Sequence, residues 1–165
     1  HPGLYLLENR FRQSVGEIRD AFKGVDHITA YSVKTNANLS LLKAVCDEGC
    51  GFNIVSGGEL FRALTVGADP KKIIYAGVGK TTDEIRAAIQ ADILMFDVES
   101  EAELARINET ARSLGRTARV ALRVNPDIDP KTHKNTTTGT AETKFGMDFD
   151  QIEERRVGKE CRSRW

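Results

Sequence analysis

Long apolar stretches are missing from this 165-residue sequence. No run approaches the ~18 residues that a helix needs to cross a bilayer, and the amino end lacks the basic and then apolar pattern of a secretory signal. We therefore expect no membrane segment and a cytoplasmic location. With 40% hydrophobic and 29% charged residues, the composition is typical of a globular protein with room for one core of ordinary size.

An excess of charge of either sign is also missing, because 24 basic residues balance 24 acidic residues. There is thus no general electrostatic reason to expect nucleic acid or an anionic membrane as a partner. The balance is uneven along the chain, since residues 155–165 carry five basic residues and one acidic residue. This segment shows neither helical nor strand periodicity. We predict one domain over residues 1–154 and a non-native or disordered tail over residues 155–165.

Cysteine is scarce, and its odd number lacks the paired spacing of a disulfide scaffold. Cys46 and Cys50 could share one helix face, but no second cysteine pair or nearby histidine completes a zinc site. We expect these thiols to be reduced and to pack as small hydrophobic groups, and we expect no metal.

Short apolar runs do occur, and they alternate with stretches of helical period. This alternation is typical of repeated strand and helix units that build a parallel sheet. The predicted helices cover 8–23, 39–48, 57–67, 81–90 and 100–115, and the predicted strands cover 27–33, 51–55, 72–76, 93–97 and 117–124. Asn38 has the position of a helix N-cap, and Ser100 with Glu103 has the spacing of a capping box. Glycines lie where helix ends favour a left-handed residue, at Gly49, Gly67 and Gly115.

Lys34 ends the first predicted strand, where a single lysine is a poor choice for packing. A lysine held in low-dielectric surroundings becomes a neutral amine more easily, and such an amine can attack an aldehyde. The alternative is a lysine whose stem is buried and whose head remains in water. The residues that follow favour the first interpretation.

Six blocks occur around and after Lys34 in a fixed order, at 31–36, 51–60, 77–81, 96–104, 122–126 and 132–146. This series resembles the fold type III pyridoxal-phosphate-dependent decarboxylases, and the Ser-Gly-Gly-Glu-Leu segment at 56–60 is most similar to the diaminopimelate decarboxylase branch. The resemblance implies an α/β fold, an incomplete (β/α)8 TIM barrel of the alanine racemase-like type with about five parallel strands. Active sites of such barrels lie at the carboxyl ends of the strands.

The resemblance also implies pyridoxal 5'-phosphate as the cofactor, bound covalently by Lys34 as the catalytic residue. The implied cofactor-binding residues are Lys34, Asn53, Ser56 and Arg123, and the implied supporting polar cluster is Glu59, His133 and Lys144. Asn53 departs from the carboxylate that the family usually carries there, which leaves a contact between Lys144 and Glu59 as the main ion pair. Without the resemblance, Glu59 would be an exposed helix residue and Lys144 a solvated loop residue. Arg123 suits either the phenolic oxygen of the cofactor or a carboxylate, and the alternative is a strand-end arginine paired with a buried acid.

Two glycine-containing segments invite a phosphate-binding interpretation. Residues 77–81 end in Gly-Lys-Thr, but Ile74 stands where a nucleotide-binding loop needs its first glycine, so we reject that loop. Residues 56–58 begin a predicted helix whose amides could receive an anion.

The implied reaction is the decarboxylation of meso-2,6-diaminopimelate, a small amino-acid substrate, to L-lysine and carbon dioxide by a protein that is a homodimer when full length. The alternatives are an ornithine, arginine or carboxynorspermidine decarboxylase of the same fold, a non-catalytic pyridoxal-phosphate-binding protein, and an α/β domain without a cofactor. Five strands cannot close a barrel of eight. We therefore expect this chain alone to be inactive.

Overall fold

The computed structural model describes residues 2–125 and 146–148, in which helices and strands alternate. The helices are α1 Pro2–Ala21, α2 Leu39–Asp47, α3 Gly57–Thr65, α4 Thr82–Ala91 and α5 Glu101–Ser113. The strands are β1 Ala30–Ser32, β2 Gly51–Ile54, β3 Ile73–Tyr75, β4 Met95–Val98, β5 Val120–Leu122, β6 Val124–Asn125 and β7 Met147–Asp148. Strands β1 to β5 form one sheet in chain order, and all neighbours are parallel. This confirms the predicted series of parallel strands and connecting helices.

Every second residue of the sheet faces the helices. Phe52 pairs with Ile73, and Tyr75 pairs with Phe96, so these side chains share one face. They are at most 1% exposed and belong to the core that the helices complete, with Leu42, Val45, Leu60, Ala63, Ile85 and Ile107. The residues that alternate with them, such as Asn53 and Asp97, therefore lie on the opposite face. In a barrel that opposite face is the interior.

Local signals explain most of the helix boundaries. Asn38 caps α2 through a hydrogen bond that its Oδ1 accepts from the amide of Ser40 at 2.9 Å. Gly49, Gly67 and Gly115 have φ values of 75°, 86° and 62°, as predicted for residues that follow helices. Asp92 takes the same left-handed conformation at the end of α4, with φ of 57°, although no glycine marks this helix end in the sequence.

The boundaries of α1 and of two strands differ most from the predictions, and α1 begins at Pro2 instead of residue 8. Strand β1 is shorter than expected, because a single 3₁₀ turn at Val33–Thr35 follows Ser32 directly. The fifth predicted strand is divided at Arg123 into β5 and β6. Strand β6 leaves the main sheet and pairs in parallel with β7, which was not predicted. The early end of β1 and the division at Arg123 both lie at carboxyl ends of strands, where the chain turns out of the sheet.

Gly51 shows how closely β2 and the segment before β3 approach each other. A Cβ at this position would overlap the backbone oxygen of Lys72. Since that oxygen belongs to the backbone, it cannot move aside as a flexible side chain would. Glycine is therefore required here by close packing and not by its backbone angles.

The outer face of β5 is only partly covered. Val120 and Leu122 are each 38% exposed, although their neighbours across the sheet, Phe96 and Val98, are buried. Among the described residues no helix follows β5 to cover them. None of the described helices is long and apolar enough to span a membrane.

Candidate functional site

The carboxyl ends of the strands bring three predicted site residues, together with Glu99, to one edge of the sheet. Lys34 follows β1, Ser56 follows β2, Glu99 follows β4 and Arg123 follows β5. Because the strands are parallel, their carboxyl ends share the same edge. We call this edge the rim.

Lys34 lies in the 3₁₀ turn that ends β1, and its side chain is exposed. Its amine makes no hydrogen bond or ion pair with any other residue in 2–125 or 146–148. The described part of the chain therefore does not shield the Lys34 amine from water as expected. Five strands leave the inner face of the sheet open. The catalytic role of Lys34 remains a prediction.

Asn53 lies on the inner face of β2, opposite Ser32 of β1. Its Oδ1 is buried and accepts no hydrogen bond from the described residues. Buried acceptors without a partner are rare in native proteins and usually have a functional or structural cause. This oxygen is available to a donor at the rim, close to the strand that Lys34 ends.

Ser56 and Glu59 both serve the start of α3. The Ser56 hydroxyl accepts a hydrogen bond from the amide of Glu59 at 3.2 Å, and the Glu59 carboxylate accepts one from the amide of Val55 at 2.8 Å. The amide of Gly57 is also occupied, because it donates to Glu84 at 2.7 Å. The amide of Gly57, which was one of the amides predicted to receive an anion, is thus engaged by the protein itself, as is the amide of Glu59.

Glu84 links the starts of two helices. Besides the amide of Gly57 in α3, its carboxylate accepts hydrogen bonds from the amide and hydroxyl of Thr81, the N-cap of α4, both at 2.9 Å. Burial opposes ionisation of this carboxyl, but the hydrogen bonds from Thr81 and Gly57 outweigh burial and lower the pKa of Glu84. An ionised carboxylate therefore holds the starts of α3 and α4 together next to the rim.

Arg123 pairs with Glu99 across the carboxyl ends of β4 and β5. Its Nη1 donates to Glu99 Oε1 at 2.9 Å, and the Glu99 side chain is only 2% exposed. The other Glu99 oxygen accepts a hydrogen bond from the amide of Gly146 at 3.1 Å. The pairing with a buried acid, which the sequence left open for Arg123, is present. A contact between Arg123 and a cofactor remains a prediction.

No site role was predicted from the sequence for Lys80, Glu99 or Glu103. Lys80 was considered only as part of a nucleotide loop, and Glu103 only as part of a capping box. The Glu103 carboxylate instead reaches the amide of Glu99 at 3.2 Å and the ammonium of Lys80 at 2.5 Å. The available signal was the spacing of four residues between Glu99 and Glu103, which brings two acidic residues to one end of α5.

Asp97 adds another acidic group to the inner face of β4. Burial raises the pKa of its carboxyl, Lys80 opposes that effect, and the neighbouring Glu99 adds to it. The rim between β4 and β5 is therefore rich in carboxyl groups that need cationic partners. His133 and Lys144, two members of the implied polar cluster, lie outside the described residues, as do residues 155–165. Within the ranges that are described, no cluster of His, Cys, Asp and Glu is suited to a metal ion.

Comparison with known proteins shows which family this chain belongs to. Residues 8–164 match the family described as pyridoxal-dependent decarboxylase, pyridoxal binding domain. The chain belongs to this decarboxylase family. Its matched domain is the one that binds pyridoxal, which confirms the expectation of pyridoxal phosphate as the cofactor.

Individual members of the decarboxylase family show how far the similarity extends. Diaminopimelate decarboxylase of Aquifex aeolicus is 46% identical over 151 residues, which cover 91% of this chain and 36% of that protein. The crystal structure of diaminopimelate decarboxylase from Helicobacter pylori complexed with L-lysine matches with a TM-score of 0.87 and 38% identity, over 93% of this chain and 40% of that one. The arginine decarboxylase of Paramecium bursaria Chlorella virus, bound to agmatine, matches with a TM-score of 0.65 and 26% identity, over 87% of this chain and 37% of that one. The chain thus spans little more than a third of the length of its curated relative.

The residues at the rim fit the cofactor of the decarboxylase family. Lys34 offers a primary amine without a competing ion pair among the described residues. Asn53 offers a buried acceptor that lacks a donor, and Arg123 offers a guanidinium anchored by a buried carboxylate. An amine that can bond to an aldehyde, together with polar groups that orient the ring, is the donor set that pyridoxal phosphate requires.

Proposed function

We propose that this chain is the amino-terminal part of a diaminopimelate decarboxylase, which converts meso-2,6-diaminopimelate to L-lysine and carbon dioxide in the last step of lysine biosynthesis. The observation that carries the proposal is the position of Lys34 at the rim, on the same edge as the Glu99 and Arg123 pair. The choice of substrate is supported by 46% identity to the Aquifex aeolicus enzyme over 91% of the chain.

The residues of the chain would share the work as follows. Lys34 holds the cofactor through Nζ, and Asn53 accepts a hydrogen bond through its orphaned Oδ1. Arg123, kept in place by Glu99, presents positive charge at the rim. When bound, pyridoxal phosphate supplies the electron sink for the pair of electrons that remains after the carboxylate leaves. Ser56 and Glu59 contribute by fixing the start of α3 next to the rim, with Lys144 and His133 as proposed further members of the polar cluster.

The test uses the full-length protein that contains this chain. We expect an absorption band at about 420 nm that borohydride removes, which is the signature of a cofactor bound through a lysine. Lys34→Ala should abolish the band, whereas Lys43→Ala, which removes an exposed lysine paired with Asp47 on α2, should leave it unchanged. A band that survives Lys34→Ala would contradict the assignment of the lysine.

Substrate choice is tested by the release of carbon dioxide from a panel of amino acids. We expect release from meso-2,6-diaminopimelate and much less from ornithine or arginine. Release from arginine or ornithine alone would favour a related decarboxylase, and an intact band without any release would favour a non-catalytic pyridoxal-phosphate-binding protein. Residues 1–165 alone should show no turnover, because we propose that later strands, a second domain and the second subunit of a homodimer complete the site.

A further inference from the structure

Lys80 is a buried lysine that has no role in the function proposed above. Its side chain is 0% exposed, and a lysine is almost never fully buried unless it is paired. Its Nζ donates to the backbone oxygens of Gly77 at 2.7 Å and Asp97 at 2.8 Å, and to Glu103 Oε1 at 2.5 Å. These three bonds use all the donors of the ammonium. The Tyr75 ring lies 5.6 Å from the same nitrogen.

A continuous chain of polar contacts leads from Lys80 to the rim. Glu103, bound to Lys80 by one oxygen, accepts the amide of Glu99 with the other at 3.2 Å. The Glu99 carboxylate then accepts Arg123 Nη1 at 2.9 Å. Lys80 and Arg123 thus lie at opposite ends of one network, which joins the segment after β3 to the start of α5 and to the ends of β4 and β5.

The charges in this network explain why Lys80 matters for Arg123. Glu99 and Glu103 are 4% and 6% exposed, and each buried carboxylate requires a cationic or hydrogen-bonding partner. Lys80 satisfies Glu103, so that Glu99 is left to bind Arg123. Without the Lys80 ammonium, Glu103 would be a buried charge without a cationic partner. Arg123, a cation on the rim side of the same network, would then be drawn toward Glu103.

We propose that Lys80 is a positioning residue, whose pairing with Glu103 reserves Glu99 for Arg123 and so sets where the Arg123 guanidinium lies at the rim. This inference rests on the proposed function, in which Arg123 presents positive charge at the rim where the cofactor binds. It assigns no contact between Lys80 and the cofactor.

The experiment measures the Kd of pyridoxal phosphate by titration of the band at about 420 nm in the full-length protein. Lys80→Met should raise the Kd about tenfold, which corresponds to about 1.4 kcal/mol. Lys80→Met/Glu103→Gln should restore the Kd to within about threefold, because no unpaired buried charge remains and the Gln oxygen can still accept the amide of Glu99. Lys71→Met, which removes an exposed lysine paired with Asp92, is the matched control and should have no effect.

The decisive arm repeats Lys80→Met in an Arg123→Met background. If Lys80 acts through Arg123, the further change in Kd should be less than about twofold, because the two effects are then not additive. If Lys80→Met prevents folding, Glu103→Gln replaces it. The Lys80 ammonium then lacks its carboxylate partner and competes with Arg123 for Glu99, so the Kd should again rise only when Arg123 is present. A folded Lys80→Met protein with a lower Tm and an unchanged Kd, or an equal rise in Kd with and without Arg123, would overturn the inference.

The same experiment distinguishes a failure of the proposed function from a failure of the positioning role. A wild-type protein without a borohydride-sensitive band would refute both the function and this role. A wild-type band with additive effects of Lys80→Met and Arg123→Met would refute the positioning role alone.

Discussion

Removal of the Glu84 carboxylate should loosen the starts of α3 and α4 next to the rim. In the structure this carboxylate accepts two backbone amides, from Gly57 in α3 and from Thr81 before α4, together with the Thr81 hydroxyl. Loss of a helix cap alone costs about 0.5–2 kcal/mol, and a hydrogen bond to a charged group contributes about 1.5–3 kcal/mol. Because water can replace part of these bonds, we expect Glu84→Ala to cost about 2–3 kcal/mol and Glu84→Gln, which keeps one acceptor oxygen, about 1 kcal/mol.

Native-state hydrogen exchange of peptides from α3 and α4 is a suitable assay, since it reports local stability in a protein of several domains. A loss of 2 kcal/mol corresponds to exchange that is about 30-fold faster. Glu109→Ala is the control, because Glu109 is exposed on α5 and its replacement should change stability by no more than about 0.5 kcal/mol. Equal exchange in Glu84→Ala and wild type would refute the bridging role.

The effect of Glu84 should also depend on pH in a defined direction. Burial acts to raise the pKa of Glu84, but the hydrogen bonds from Thr81 and Gly57 lower it below the ordinary value of 4.5. A group whose pKa is lower in the folded state stabilises the fold fully above its unfolded pKa and loses that contribution as pH falls through its folded pKa. The difference between wild type and Glu84→Gln should therefore be largest near neutral pH and shrink below pH 4.5. A difference that does not change with pH would mean that the charge of Glu84 is unimportant.

Three further predictions concern core packing, backbone approach and the rim. Phe52→Ala should cost about 3–5 kcal/mol in unfolding experiments, because Phe52 is 0% exposed, whereas Phe61→Ala at 71% exposure should have little effect; similar losses would contradict the assigned core. Gly51→Ala should strongly reduce the yield of folded protein, because its Cβ would overlap a backbone oxygen. Gly58→Ala should be tolerated, since the nearest atom to its Cβ would be 3.9 Å away. Equal yields would show that β2 can shift. Asn53→Asp adds a carboxylate next to the rim, which favours the charged form of a nearby amine. The pH at which the borohydride-sensitive band forms should therefore rise. An unchanged pH profile would show that residue 53 does not influence the Lys34 amine.

Local patterns were sufficient to predict the elements and their order. Hydrophobic periodicity and capping residues act over a few neighbouring positions, so Asn38, Gly49, Gly67 and Gly115 marked helix boundaries that the structure confirms. The ordered blocks around Lys34 were also sufficient to indicate the decarboxylase family, to which residues 8–164 belong. Local patterns were not sufficient to predict the strand ends, because the 3₁₀ turn after Ser32 and the division at Arg123 depend on how the chain leaves the sheet.

The polar partners at the rim were decided by the tertiary structure alone. Nothing in the sequence joins Lys80 to Glu103, Arg123 to Glu99 or Glu84 to Gly57, which are 23, 24 and 27 residues apart. Each of these contacts exists because parallel strands in chain order bring the ends of successive units side by side, and a charge buried there must then find its partner in the neighbouring unit. By itself, the sequence determined which units form and indicated Lys34 as the amine proposed to hold the cofactor, whereas the packing of those units determined which charges pair at the rim.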